Sequence, residues 1–152
     1  MQIFLIFCSG SISYLEVKRQ REFLYKIPYD SDLLLALKGL AKRLGIKTGI
    51  FMLLGALRTA TLLYYVQNER KSIKLTFDSP LEIVSGIGNI SVMEDNIILH
   101  AHLMLADKDG RCYSGHLTEG SKVFSCEVYL RELLPSIYRK YDDLTGLNLL
   151  DI

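Results

Sequence analysis

Cysteine is scarce in this chain and badly placed for cross-linking. Cys8, Cys112 and Cys126 are odd in number and form no CxxC pair, which excludes a disulfide framework and suits a reducing, cytoplasmic setting. Tryptophan is absent, and the three prolines are too few for an extended proline-rich segment. Neither sign of charge dominates. Eighteen Lys and Arg against seventeen Asp and Glu leave a formal charge of +1, unlike a strongly basic nucleic-acid binder or an acidic solvating chain. No uncharged run is long enough to span a bilayer. The apolar start, Met1 to Cys8, lacks a basic leader and is far too short; it reads as an extension over residues 1–12. With 152 residues and 49% hydrophobic content, the rest has enough chain for one globular domain with a real core.

Histidine is equally scarce, and its distribution is informative. All three histidines fall in one window, as His100-Ala101-His102 and Gly115-His116. Residues two apart share a face of a strand. Residues 97–106 and 111–118 read as the two strands of a hairpin, so the loop between them decides where His116 points. A four-residue loop pairs Ala106 with Arg111 and turns His116 away from the other two. A three-residue loop, Lys108-Asp109-Gly110, pairs Asp107 with Arg111 and sets His116 opposite His102. Gly110 sits where a type I turn closing on a left-handed glycine needs it, so the three-residue loop is expected and the three rings share a face. Three neutral imidazoles are a recurrent shell for a divalent cation, above all zinc, with one position left open. Histidines satisfied by hydrogen bonds within a sheet are the other reading. Cys112 lies four residues from His116, roughly 13 Å along a strand, too far to join them.

Elsewhere the pattern is α+β, a mainly antiparallel sheet covered by one or two helices. Residues 12–27 read as a strand bent at the charged run 18–21. Asp30 or Ser31 caps a helix whose apolar positions Leu33, Leu34, Leu37, Leu40, Ala41 and Leu44 recur at helical spacing, with Gly45 as its stop. Strands follow at 49–54, 59–66, 72–77, 90–93 and 122–130. Residues 80–84 allow a helical turn, Gly86-Ile87-Gly88-Asn89 reads as a tight turn with positive φ, and residues 131–141 as a final helix broken by Pro135. Gly86 to Asn89 lacks the later glycine or the Lys and hydroxyl pair of a phosphate loop. The basic clusters at 18–21, 42–43 and 139–140 are short and read as solvated faces, and Arg58 as one partner of a salt bridge.

Taken in order, several segments resemble the PPC domain, the "plants and prokaryotes conserved" domain found beside AT-hooks in plant nuclear proteins. They are Gly49, Gly55-Ala56-Leu57 and Ala60; Glu82-Ile83, Ser85-Gly86 and Gly88-Asn89-Ile90-Ser91; Leu99-His100-Ala101-His102, Ala106-Asp107, Gly115-His116-Leu117 and Glu127. The resemblance covers residues 13–141, leaving 142–152 as a tail. It implies a compact α+β fold that assembles as a homotrimer. For some stand-alone prokaryotic members it also implies a metal ion held by three histidines near a subunit boundary, a role that falls here on His100, His102 and His116. Glu127 and Asn89 are candidates to orient a ligand by hydrogen bonding. The chain departs from the family in having Ser114-Gly115 where a Gly-Gly pair is common. It also lacks any Arg-Gly-Arg-Pro core, so the minor-groove reader of the plant proteins is missing.

Three functions remain open at this stage. The first is a homotrimeric metal-binding domain acting as an interaction module. The second is a metal-dependent enzyme, of hydrolase or lyase type, acting on a small molecule with Glu127 or Glu82 as general base. The third is DNA binding by the bare domain, which would need several basic clusters on one surface.

Overall fold

The computed structural model describes residues 12–152. Cys8 and all but the last residue of the expected extension lie outside them. In chain order the elements are β1 (Lys18–Ile27), α1 (Leu33–Leu44), β2 (Gly49–Val66), β3 (Lys71–Phe77), β4 (Leu81–Met93), β5 (Asn96–Ala106), β6 (Cys112–Leu117), β7 (Lys122–Leu134), β8 (Arg139–Asp142) and β9 (Leu147–Leu150). Seven strands form one antiparallel sheet in the order β1-β7-β2-β4-β5-β6, with β3 also on β2. β6 returns to pair with β2 through Leu62–Leu117 and Leu63–His116, so β2, β4, β5 and β6 close into a ring. Among the described residues no helix is long and apolar enough to cross a membrane.

The ring depends on the length and bend of β2. The sequence suggests two strands separated near Gly55, yet residues 49–66 are continuous. The first half pairs with β7 and β4, the second with β3 and β6. Gly55 absorbs the bend at φ +144°, where an added Cβ would collide with the Ser125 carbonyl. The expected turn at residues 86–89 is likewise strand. Gly86 and Gly88 have no positive φ and lie inside β4. They are small because Leu53 and Phe51 of β2 occupy the space a side chain would need. The helical turn allowed at residues 80–84 is the start of β4.

Helix α1 lays Leu33, Leu34, Leu37, Leu40 and Ala41 against the sheet's inner face. Each such leucine contributes on the order of 1.5–3 kcal/mol by leaving water. The Asp32 carboxylate, rather than Asp30 or Ser31, caps the helix. It accepts from Leu35 N at 3.1 Å and from Gly120 N at 2.7 Å, so one side chain ends the helix and ties it to the loop before β7. Gly45, at φ +68°, closes the C-terminus as expected.

The expected final helix does not form, and α1 is the single α-helix among the described residues. Residues 131–134 continue β7, where Leu134 pairs with Lys18 and Glu132 with Gly49; the sheet's hydrogen bonds override a weak helical pattern. The chain then turns back along β4. Ile137 N donates to Thr48 Oγ1 at 2.7 Å, and Val92 N to Ile137 O at 3.0 Å. Residues 142–152, read as a tail, carry the end of β8 and all of β9, which form a two-stranded hairpin.

Two glycine substitutions should act in opposite directions in urea unfolding. A Cβ at Gly88 would sit 2.4 Å from Phe51 Cζ and 2.6 Å from the His100 carbonyl, so Gly88→Ala is expected to cost about 1–3 kcal/mol. Gly39 is helical, exposed and has nothing within 4 Å, so Gly39→Ala should stabilise by about 0.5–1 kcal/mol.

Candidate metal centre

The three histidines meet because of one turn. Gly110 N donates to Asp107 O at 3.0 Å and Asp107 N to Arg111 O at 3.0 Å, the three-residue loop with Gly110 at φ +78°. The Asp107 side chain reinforces it. One carboxylate oxygen accepts from Asp109 N and Arg111 N at 2.9 and 3.0 Å, and the other from the Tyr113 hydroxyl at 3.0 Å. Desolvation pushes this carboxyl's pKa up, but those donors together outweigh it and hold the pKa below its ordinary value. From this turn the ladder runs Ala106–Cys112, Leu105–Tyr113, Met104–Ser114, Leu103–Gly115 and His102–His116. Gly115 faces β2, where a Cβ would lie 3.0 Å from Leu63 O; Ser114 is exposed, so a serine is tolerated there.

His100, His102 and His116 each offer a ring nitrogen, and these atoms lie within 4.8 Å of one another. The Nε2 atoms of His100 and His102 are 3.2 Å apart, and the ring centroids are separated by 5.0 to 5.6 Å. A tetrahedral zinc ion with ligands at ~2.0–2.1 Å needs nitrogens about 3.3 Å apart. The His100–His102 separation of 3.2 Å already matches that spacing, and the third nitrogen lies within 4.8 Å of both. The protonation states fit as well. Burial, followed by the neighbouring histidines and Arg139, lowers the His116 pKa to about 4. Burial, Arg139 and His102 lower that of His100. Both shifts favour the neutral ring that a cation ligand must be.

Arg139 is the residue that sequence reading missed. It belongs to one of the basic clusters read as solvated, but the path of residues 135–139 along β4 brings it half-buried against the histidines. Nε donates to Ser91 Oγ at 2.7 Å, Nη1 to Asn148 O at 2.7 Å, and Nη2 to Asn89 Oδ1 at 2.8 Å; Nη2 also lies 3.5 Å from His100 Nδ1. Asn89 stands beside His100 in the ladder and accepts from this guanidinium. Nothing in a lone Arg-Lys pair signals such a position.

The carboxylate candidates are placed elsewhere. Glu127 pairs with Lys26 and Leu54, and β2 and β4 separate its strand from β5, on the order of 14 Å at ordinary strand spacing. Glu82 pairs with Ala106, near the turn end of the hairpin. Neither hydrogen-bonds a histidine. Cys112 is exposed beside the turn, and burial pushes the Cys126 thiol up to about 12, leaving it unreactive. Arg58 forms the expected salt bridge, with Asp30. Arg21 is committed to Glu132 at 2.6 Å and Arg43 to the Tyr25 hydroxyl at 2.8 Å.

Comparison with known proteins agrees with this architecture. The sequence model of the Plants and Prokaryotes Conserved (PCC) domain matches residues 14–134. A metal-containing protein from Archaeoglobus fulgidus is 33% identical with a TM-score of 0.86, covering 91% of this chain and 99% of its own. A plant- and prokaryote-conserved (PPC) protein from Pyrococcus horikoshii is 29% identical with a TM-score of 0.86, covering 93% and 98%. A candidate DNA-binding protein from Bacteroides thetaiotaomicron is 25% identical with a TM-score of 0.80, covering 89% and 96%. Among curated proteins none matches.

The lowered histidine pKa values make folding pH-dependent. Between the ordinary value of 6.5 and about 4, His116 takes up a proton only in the unfolded chain, so stability falls as pH drops through that window. Urea midpoints measured in chelator at pH 7, 6 and 5 should decrease in that order, and His116→Asn should flatten the trend. A midpoint independent of pH would contradict the assignment.

Proposed function

The chain belongs to the Plants and Prokaryotes Conserved domain family, and from that premise we propose that it is a homotrimeric domain whose His100, His102 and His116 hold a divalent cation, zinc, and which serves as a cytoplasmic binding or interaction module. The observation that carries the metal reading is the convergence of three imidazoles from two register-locked strands. The metal-containing relative from Archaeoglobus fulgidus supports it. A cation there would supply Lewis acidity at its open position. This chain's residues hold and orient the rings, with β5 and β6 fixing them through their ladder.

The trimer is supported by the sheet's outer face. Leu24, Met52, Leu54 and Ile87 lie on strands β1, β2 and β4 and are each more than half exposed. Contiguous apolar surface of this kind marks an interface. A groove of about 580 Å³ over β1, β7 and β2, lined by Leu24, Met52, Leu54 and Tyr129 among others, runs through this face away from the histidines.

DNA binding is the second reading, supported by the candidate DNA-binding relative. The engagement of Arg21, Arg43 and Arg58 within the subunit leaves fewer free cations for phosphates. The enzyme alternative, a hydrolase or lyase acting on a small molecule, needs a general base beside the cation. The placement of Glu127 and Glu82 favours the module over the enzyme.

Three measurements on purified protein test this reading. Metal analysis should find one zinc per subunit, lost by at least about tenfold in affinity in His102→Ala. Light scattering should give a mass about three times the 17.3 kDa subunit. Duplex titration at low salt should show at most weak, steeply salt-dependent affinity. A zinc-free native protein or a monomer would overturn the corresponding part.

A further inference from the structure

Arg139 carries a charge that no carboxylate among the described residues pairs with. Its hydrogen bonds go to a hydroxyl, a backbone carbonyl and a side-chain amide, all neutral acceptors. A half-buried guanidinium without a carboxylate is costly, because burial removes water and no opposite charge replaces it. The fork is held rigidly at three of its nitrogens, so the charge cannot swing out to solvent. It stands 3.5 Å from one ring of the histidine cluster, and no carboxylate hydrogen-bonds any of the three rings. A divalent cation held there would add two further charges.

Beside this charge lies an open cleft of about 320 Å³, lined by Ile50, Ile87, Gly88, Asn89, His100 and His102. One wall is apolar and the other carries the imidazoles and the Asn89 amide. Those dimensions suit a small ligand with a short apolar body.

We propose that this cleft is a binding site for a small oxyanion, the carboxylate or phosphate group of a compact ligand, drawn in by the uncompensated charge of Arg139 beside the histidine-held cation. The inference rests on the metal reading and extends it by naming the ligand's charge class. Arg139 acts here as a positioning and charge-supplying residue. It holds the Asn89 amide by donation from Nη2 while raising the local potential, and the oxyanion completes the charge balance that the subunit leaves open. A neutral ligand of the same shape gains none of this attraction.

Cobalt(II) substitution gives a direct readout, because its visible spectrum changes when the ligand environment changes. The Co(II)-loaded protein is titrated with acetate, inorganic phosphate and acetamide. Saturable spectral changes are expected with acetate or phosphate, and whichever binds more tightly identifies the oxyanion; acetamide should bind at least about tenfold more weakly. Arg139→Gln should retain stoichiometric Co(II) but lose at least about tenfold in oxyanion affinity, as expected for removing a unit charge beside the cleft. Arg139→Lys, which keeps the charge on a different head group, should retain more of that affinity than Arg139→Gln. Acetamide binding as well as acetate overturns the proposal using the native protein alone, whatever happens to the folding of the variants. Unchanged oxyanion affinity in Arg139→Gln overturns it while leaving the metal reading intact. Failure of the native protein to bind Co(II) overturns both.

Discussion

The register of one hairpin governs the rest of the site. A strand's side chains alternate between faces, so a slip of one residue between β5 and β6 would turn His116 from the outer face into the core and bring Leu117 out. Two restraints prevent this. At the turn, the Asp107 carboxylate gathers two backbone N–H groups and the Tyr113 hydroxyl, while Gly110 supplies the left-handed residue that a three-residue loop requires. At the other end, β6 is paired on both sides, with β5 through His102–His116 and with β2 through Leu63–His116. A strand held by two neighbours must break both ladders to slip.

That double pairing depends in turn on features far from the histidines. β2 is long enough to serve β7 and β4 at one end and β3 and β6 at the other because Gly55 bends it without ending it. β4 presses close to its neighbours because Gly86 and Gly88 leave room for Leu53 and Phe51. The glycines therefore act as clearance in a packed sheet, where interiors tolerate little excess volume. The histidine cluster on the outside and the core on the inside share this geometry, so strain in β4 would reach His100 through its own carbonyl.

Electrostatics divide the outer face into two regions. Around the histidines, burial favours the neutral form of His100 and His116, and Arg139 stands 3.5 Å from one ring. Over β1, β7 and β2 the surface is apolar, with Glu127 and Lys26 set among Leu24, Met52 and Leu54. The first region has the chemistry of a ligand site and the second that of a protein interface. Both regions lie on one continuous sheet.

Local chemistry in the sequence was enough to determine the α+β class, helix α1 with its buried stripe and Gly45 stop, the Lys108-Asp109-Gly110 loop and the shared face of the three histidines. Each of these follows from neighbours a few residues apart, where periodicity and turn preferences act. Only the tertiary structure decided that residues 86–89 are strand, since the reason for those glycines lies across the sheet in Phe51 and Leu53. It also turned residues 131–134 into strand, because the ladders with β1 and β2 outweighed a weak helical pattern. The placement of Arg139 against His100, and of Glu127 away from it, depended on strand order and on how the chain returns along β4. Such choices are made by contacts between residues tens of positions apart, and no local pattern encodes them.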